Sequence, residues 1–188
     1  MIEAEVKARV RDTERVRGLL RHRAPAEPCR YFDTYYDLPG HPLERADREL
    51  RLRVAETDGQ RRCLLTYKGA AVDEQTRSKP ETETEIADPV AADEILLALG
   101  FSHLVAFEKH CENYTFTASG RQMTVTLATV PGVGGTFIEA ETLTPSEADL
   151  SAALDDIRAL LADLGIPASD LTTELYTDAV MRHRSRQG

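Results

Sequence analysis

The chain has 188 residues and a formal net charge of −9, with 29% charged and 41% apolar side chains. That suits a globular protein of one domain or two small ones and argues against general binding to nucleic acid or an anionic membrane, while leaving room for a locally basic pocket. Cys29, Cys63 and Cys111 are widely spaced with no CxxC pair, which argues against a disulfide framework or structural zinc site and for a reducing, cytoplasmic setting. No run reaches the ~18 apolar residues of a membrane span, and the charged opening does not read as a secretory signal.

The opening residues 1–10 alternate strictly. Glu3, Glu5, Lys7 and Arg9 share one parity; Ile2, Ala4, Val6, Ala8 and Val10 share the other. A strand turns successive side chains to opposite faces, so one face is charged and the other apolar. An ordinary surface strand has the same pattern. Two carboxylates two residues apart can, however, share a hard divalent cation, and a lysine beyond them can hold a phosphate beside it.

Asp12-Thr13 predicts a capped helix running to about Arg23. Cys29 to Tyr36 reads as extended and aromatic. Tyr31, Tyr35 and Tyr36 suit a core better than a stacking site. Leu38-Pro39-Gly40-His41-Pro42 breaks the strand. From Glu49 to Ala55 the alternation returns, with Glu49, Arg51 and Arg53 on one face. Asp58-Gly59 predicts a hairpin turn into a strand from Arg62 to Gly69. Residues 70–80 read as a polar, mobile loop.

Glu81 to Ile86 predicts a strand with Glu81, Glu83 and Glu85 on one face. Asp88-Pro89 opens a helix that Gly100 stops. Phe107 to Phe116 and Gln122 to Val130 predict a hairpin pair around residues 118–120, and Phe137 to Leu143 a last strand carrying Glu139 and Glu141. Thr144-Pro145-Ser146-Glu147 has capping-box spacing before a helix that Gly165 ends. Ser169 is the expected cap of a final helix toward Arg182.

The helices' apolar stripes need a sheet face to cover, so the strands' charged parity faces either water or a lumen. Clustered acids with clustered bases suit a metal–polyphosphate ligand. Cross-strand salt bridges on a wet sheet would look alike. The five histidines, His22, His41, His103, His110 and His183, show no metal-ligand spacing. Cys111 has no obvious base partner and reads as a small substitution, not a nucleophile.

Glu3-Ala4-Glu5-Val6-Lys7 resembles the ExExK signature of the CYTH, or triphosphate tunnel metalloenzyme, superfamily. Further segments agree in order: Tyr31 to Thr34, Leu50 to Arg53, Leu65 to Gly69, Glu81 to Glu83, Leu99 to Phe101, Lys109 to Tyr114 and Phe137 to Glu141. The likeness spans nearly the whole chain and is nearest to the class IV adenylate cyclase-like branch. It implies an α+β fold in a single domain, 1–188: a closed antiparallel eight-stranded β-barrel, or tunnel, with helices packed outside.

The resemblance further implies Mg²⁺ or Mn²⁺ as cofactor, with Glu3, Glu5, Glu83, Glu139 and Glu141 as metal-site acids. Lys7, Lys68 and Lys109 become catalytic cations. Arg9, Arg51, Arg53, Lys79 and Glu81 become substrate-binding positions. The implied partner is a small-molecule triphosphate or other polyanion, not nucleic acid or membrane, and a homodimer is compatible with such folds. The implied reaction is cyclisation of ATP to cyclic AMP and pyrophosphate, or triphosphate hydrolysis. Three departures set the chain apart: Cys111 stands where the family usually has arginine, Ala128 where it usually has aspartate, and no basic residue precedes Tyr176 in Thr172 to Leu175. They keep a second expectation open, a CYTH scaffold that binds an anionic metabolite with lost or repurposed catalysis.

Overall fold

The computed structural model describes residues 1–186. Its eight strands are β1 (Ile2–Val10), β2 (Glu27–Asp37), β3 (Glu49–Thr57), β4 (Gln60–Lys68), β5 (Lys79–Ile86), β6 (Ser102–Ala118), β7 (Arg121–Val130) and β8 (Val133–Thr144). They close into one barrel in the order β1-β5-β4-β3-β2-β6-β7-β8, and every neighbouring pair is antiparallel. Closure rests on a short contact, in which Ile2 and Glu3 face Pro80 and Lys79. The helices are α1 (Thr13–Arg21), α2 (Pro42–Arg45), α3 (Pro89–Ala98), α4 (Leu150–Asp163) and α5 (Tyr176–Ser185).

Local chemistry explains most boundaries. Asp12 accepts from the Arg15 amide at 3.1 Å, and Asp88 accepts from Val90 and Ala91 at 2.9 and 3.1 Å, with Pro89 in the first helical turn. Asp58 and Gly59 both take positive φ, 47° and 77°, the conformation that lets a two-residue turn match the twist of β3 and β4.

The apolar parity of β1 points outward. Ala4, Val6 and Ala8 pack with Val16 and Leu20 of α1 and with Leu154, Ile157 and Leu161 of α4. On the opposite side Leu52, Val54 and Cys63 lie under Leu96 of α3. With the helices outside, the charged parity has only the lumen to face. A third apolar cluster, Cys29, Tyr35, Phe107, Cys111, Ala128 and Phe137, meets Tyr176 and Val180 of α5.

Several expectations change. Ser169 caps no helix: Ala168–Asp170 is a single 3₁₀ turn, and the last helix begins at Tyr176. The Thr144 to Glu147 capping box does not form. Thr144 is buried in β8 and its hydroxyl donates to the Ile2 carbonyl, while a 3₁₀ turn at Glu147–Asp149 precedes α4. Strand β5 starts at Lys79 and β6 at Ser102, earlier than the side-chain pattern indicates, and the proline-rich break after β2 holds the short α2. The polar segment before β5 is tied down: Ala71 and Arg77 bond to Asp47, Thr76 to Asp73, and the Ser78 hydroxyl accepts from the Glu5 amide. No described helix is long and apolar enough to cross a membrane.

Candidate functional site

Alternate residues of β1, β3, β4, β5, β6 and β8 converge on one cavity of about 290 Å³. Of the residues expected in the site, Glu3, Glu5, Lys7, Arg51, Arg53, Lys68, Lys79, Glu81, Glu83, Lys109, Glu139 and Glu141 all line it. Arg9 does not. It lies at the mouth, half exposed over the Phe137 ring, and pairs with Glu174 at 2.5 Å.

The acids divide into two groups. Glu3, Glu5 and Glu141 present carboxylate oxygens within 4.8 Å of one another, because Glu5 and Glu141 are direct partners across β1 and β8 and Glu3 is one pleat away. Burial, followed by the negative charges of Glu139 and Glu3, pushes the Glu5 carboxyl up to about 7. Burial, followed by the negative charges of Glu3 and Glu5, raises Glu141 well above the usual carboxylate range. Burial alone would raise Glu3 too, but Lys68 holds it below its ordinary value. Three oxygens in mutual repulsion, in a hard donor set, fit a divalent cation. Glu139 stands apart. It accepts from Lys109 at 2.9 Å and lies 4.0 Å from Lys7. Those cations overcome the effect of burial and hold it at about 2. Glu83 instead accepts from Thr66 at 2.7 Å, 3.8 Å from Arg51.

The cations are interleaved with these acids, and several are held by an anion or carbonyl of the chain. Lys68 bridges Glu3 and Glu81, and Lys79, only 4% exposed, reaches Asp47 at 3.0 Å and Glu49 at 2.7 Å. Arg53 binds Asp33 through two bonds of 2.6 and 2.7 Å. Against the effect of burial, that guanidinium keeps Asp33 at about 2. Lys7 donates to the Glu174 carbonyl at 2.8 Å and sits 3.2 Å from the centre of the Tyr176 ring. Burial draws its ammonium down to about 8. Among the described residues, three buried side-chain polar atoms lack a partner: Arg51 Nε, Arg77 Nε and the Tyr176 hydroxyl. All three side chains line this cavity. Buried polar groups are normally satisfied, so the unmet hydrogen bonds of the described residues gather here.

The C-terminal segment supplies a wall that the sequence pattern did not assign. Leu171 bridges Ala8, Thr172 donates its amide to the Lys7 carbonyl at 2.9 Å, and the chain crosses the mouth to place Glu174 and Tyr176 in the lining. Asp33 and Glu49 were also unassigned. Both lie on the inward parity of their strands, which was the available signal. Tyr31 and Tyr35 face the cavity, whereas Tyr36 points outward and donates to Asp93. His22, His41, His103 and His110 pair with groups away from the lumen. Cys111 and Ala128, two of the departures, are one feature: they are direct partners across β6 and β7.

The CYTH domain profile matches residues 1–176. The chain belongs to the CYTH family. A candidate adenylate cyclase of Methanocaldococcus jannaschii is 24% identical over 180 residues, covering 95% of this chain and 98% of that protein. The PH1819 protein of Pyrococcus horikoshii superposes with a TM-score of 0.85 at 28% identity, over 96% of this chain and 98% of its own. HpAC1 of Hippeastrum, a candidate adenylyl cyclase whose dominant activity is that of a triphosphatase, superposes with a TM-score of 0.66 at 18% identity, over 99% and 96% of the two chains. The barrel, its α+β class and the family therefore agree with the expectation from the sequence.

Proposed function

We propose that this CYTH chain hydrolyses a small-molecule triphosphate in its lumen with the help of Mg²⁺ or Mn²⁺. The observation that carries the reading is that one cavity gathers a three-carboxylate group, several buried cations and the unpartnered Nε atoms of Arg51 and Arg77. Glu3, Glu5 and Glu141 would hold the cation, whose chemistry is to neutralise charge on phosphate oxygens. Arg51, Arg53, Lys68 and Lys79 orient the polyphosphate, because guanidinium and ammonium groups match its oxygens. Burial draws the Lys7 ammonium down to about 8, and Lys7 stands beside Glu139, so its neutral form is suited to taking a proton from an attacking water. Phosphoryl transfer needs little more than such positioning and charge compensation. Glu81 tunes Lys68, and Lys109 tunes Glu139. The free cysteines suit a cytoplasmic setting.

Cyclisation of ATP uses the same cavity with a ribose hydroxyl as nucleophile, and the M. jannaschii relative favours testing it. The neutral Cys111–Ala128 pair favours testing the scaffold reading. Purified protein is incubated with ATP, thiamine triphosphate and tripolyphosphate, with Mg²⁺ or Mn²⁺, and phosphate, pyrophosphate and cyclic AMP are followed together. Metal-dependent phosphate release is the expected result. Cyclic AMP with pyrophosphate would replace it by the cyclase, and binding in calorimetry without any product by the scaffold. Glu5→Ala and Lys68→Ala should each lower turnover roughly 100-fold. Unchanged activity and binding in both would remove the site assignment.

A further inference from the structure

The three cysteines are all buried free thiols, yet they occupy different surroundings. Cys63 lies on the outward parity of β4, beneath Leu96 of α3 and among Leu52 and Val54. Burial raises its thiol. It behaves as a small apolar side chain. Cys29 and Cys111 lie on the inward parity of β2 and β6 and are direct antiparallel partners. Residues so placed have Cα atoms about 4.5 or 5.5 Å apart. A disulfide spans Cα separations of about 4.4 to 6.8 Å, so neither backbone has to move far.

The pair also adjoins the tunnel. The next inward residues along the two strands, Tyr31 and Lys109, line the cavity and are themselves direct partners. Polar groups converge on one of the two sulfurs. Asn113 Nδ2 donates to Cys29 Sγ at 3.3 Å and to the Tyr31 hydroxyl at 2.7 Å, and the Arg53 guanidinium lies 4.1 Å from the centre of the Tyr31 ring. The Cys111 thiol facing it, with help from these groups, draws Cys29 down to about 6, and the same contact with burial raises Cys111. One sulfur is favoured as thiolate; its partner retains a proton. That asymmetry suits sequential oxidation, in which one thiol attacks and the other resolves.

We propose that Cys29 and Cys111 are a thiol-modification site: a peroxide small enough to enter the tunnel oxidises them to a reversible disulfide joining β2 to β6. The Cys29 thiolate attacks one peroxide oxygen. An S–O bond forms, the O–O bond breaks, and the leaving hydroxide takes a proton to become water. Cys111 sulfur then attacks Cys29 sulfur. The S–S bond forms, the S–O bond breaks, and the hydroxyl leaves with the Cys111 proton as a second water. Two electrons pass from the thiols to hydrogen peroxide. The site does not depend on the proposed reaction, and its test needs no turnover.

The reduced full-length chain is treated with hydrogen peroxide, denatured, and labelled with N-ethylmaleimide before intact-mass and peptide analysis. Three labels are expected without peroxide, one per cysteine. After peroxide a single label on Cys63 is expected, together with a cross-linked Cys29–Cys111 peptide, and dithiothreitol restores all three. Cys29→Ser and Cys111→Ser should each abolish the intrachain cross-link, and circular dichroism checks that both remain folded. Three labels surviving oxidation would overturn the proposal. So would a disulfide through Cys63, one between two chains, or oxidation of Cys29 to a sulfinic acid with no cross-link.

Discussion

The lumen has two unlike walls. The wall built by β1, β3, β4, β5 and the Glu139–Glu141 end of β8 is charged; the wall built by β2, β6, β7 and Phe137 is mostly neutral, with Cys29, Tyr31, Phe107, Cys111, Ala128 and Val130 facing inward. The charged wall contains the unmet nitrogens of Arg51 and Arg77. The neutral wall is mostly packed, and aromatic rings on and beside it meet the lumen cations: Lys7 and Lys109 lie by the Tyr176 ring of α5, and Arg53 by Tyr31. One wall is therefore organised for a ligand and the other for holding the barrel's shape. Cys111 and Ala128, direct partners across β6 and β7, lie within the neutral wall.

The two walls are tied to each other at Asp33. This residue is on a neutral-wall strand yet is 1% exposed and holds Arg53 with two bonds. Asp33→Ala leaves a buried guanidinium without its anion, which costs about 3–5 kcal/mol. Denaturant unfolding should report that loss. A change below about 1 kcal/mol would mean that Arg53 finds another partner and that the walls are not locked together through this pair.

Much of this arrangement was legible in the chain. Period-two alternation assigns Glu3, Glu5, Arg51, Arg53, Lys68 and Glu141 to one face, and the striped helices leave that face to water or to a lumen; the resemblance to the tunnel family was what pointed to the lumen. What stayed hidden depended on contrast or distance. On β2 the inward residues are Cys29, Tyr31, Asp33 and Tyr35, and an acid among aromatics makes no alternating signal. Tyr176 reaches the lumen because Leu171 and Thr172 pair with β1, more than 160 residues earlier in sequence, and no local period encodes that return. The same distance defeats the Ser169 cap: once the segment is committed to β1, its backbone is extended and the helix waits until Tyr176.

The charged wall should respond to pH through Glu5. Its folded value, about 7, lies above its ordinary 4.5, so the folded chain binds the extra proton between those values. The stabilising contribution is complete below pH 4.5 and is lost as pH rises through 7, with a slope of at most about 1.4 kcal/mol per pH unit for this group. Asp33 and Glu139, both lowered to about 2 from 3.8 and 4.5, contribute stability that is present above those ordinary values and is lost as pH falls from them through 2. A divalent cation competes with the Glu5 proton. Thermal unfolding with and without Mg²⁺ should therefore show a larger stabilisation at pH 8 than at pH 6. Equal shifts, or metal-free stability that climbs from pH 5 to 7, would detach Glu5 from the metal group.

The smallest effect tests whether the neutral wall is a single switchable unit. Ala128 is fully buried between Cys111 and Phe137 on the two neighbouring strands. Ala128→Asp or Cys111→Arg alone places an uncompensated charge and extra volume in that wall, and each should destabilise the fold. Together the two side chains face each other directly across β6 and β7, so the double variant should recover about 1 kcal/mol relative to the sum of the singles. The volume cost remains, and recovery is therefore partial. A double-mutant cycle on unfolding free energies measures it. Strict additivity would show that the two groups do not interact across β6 and β7.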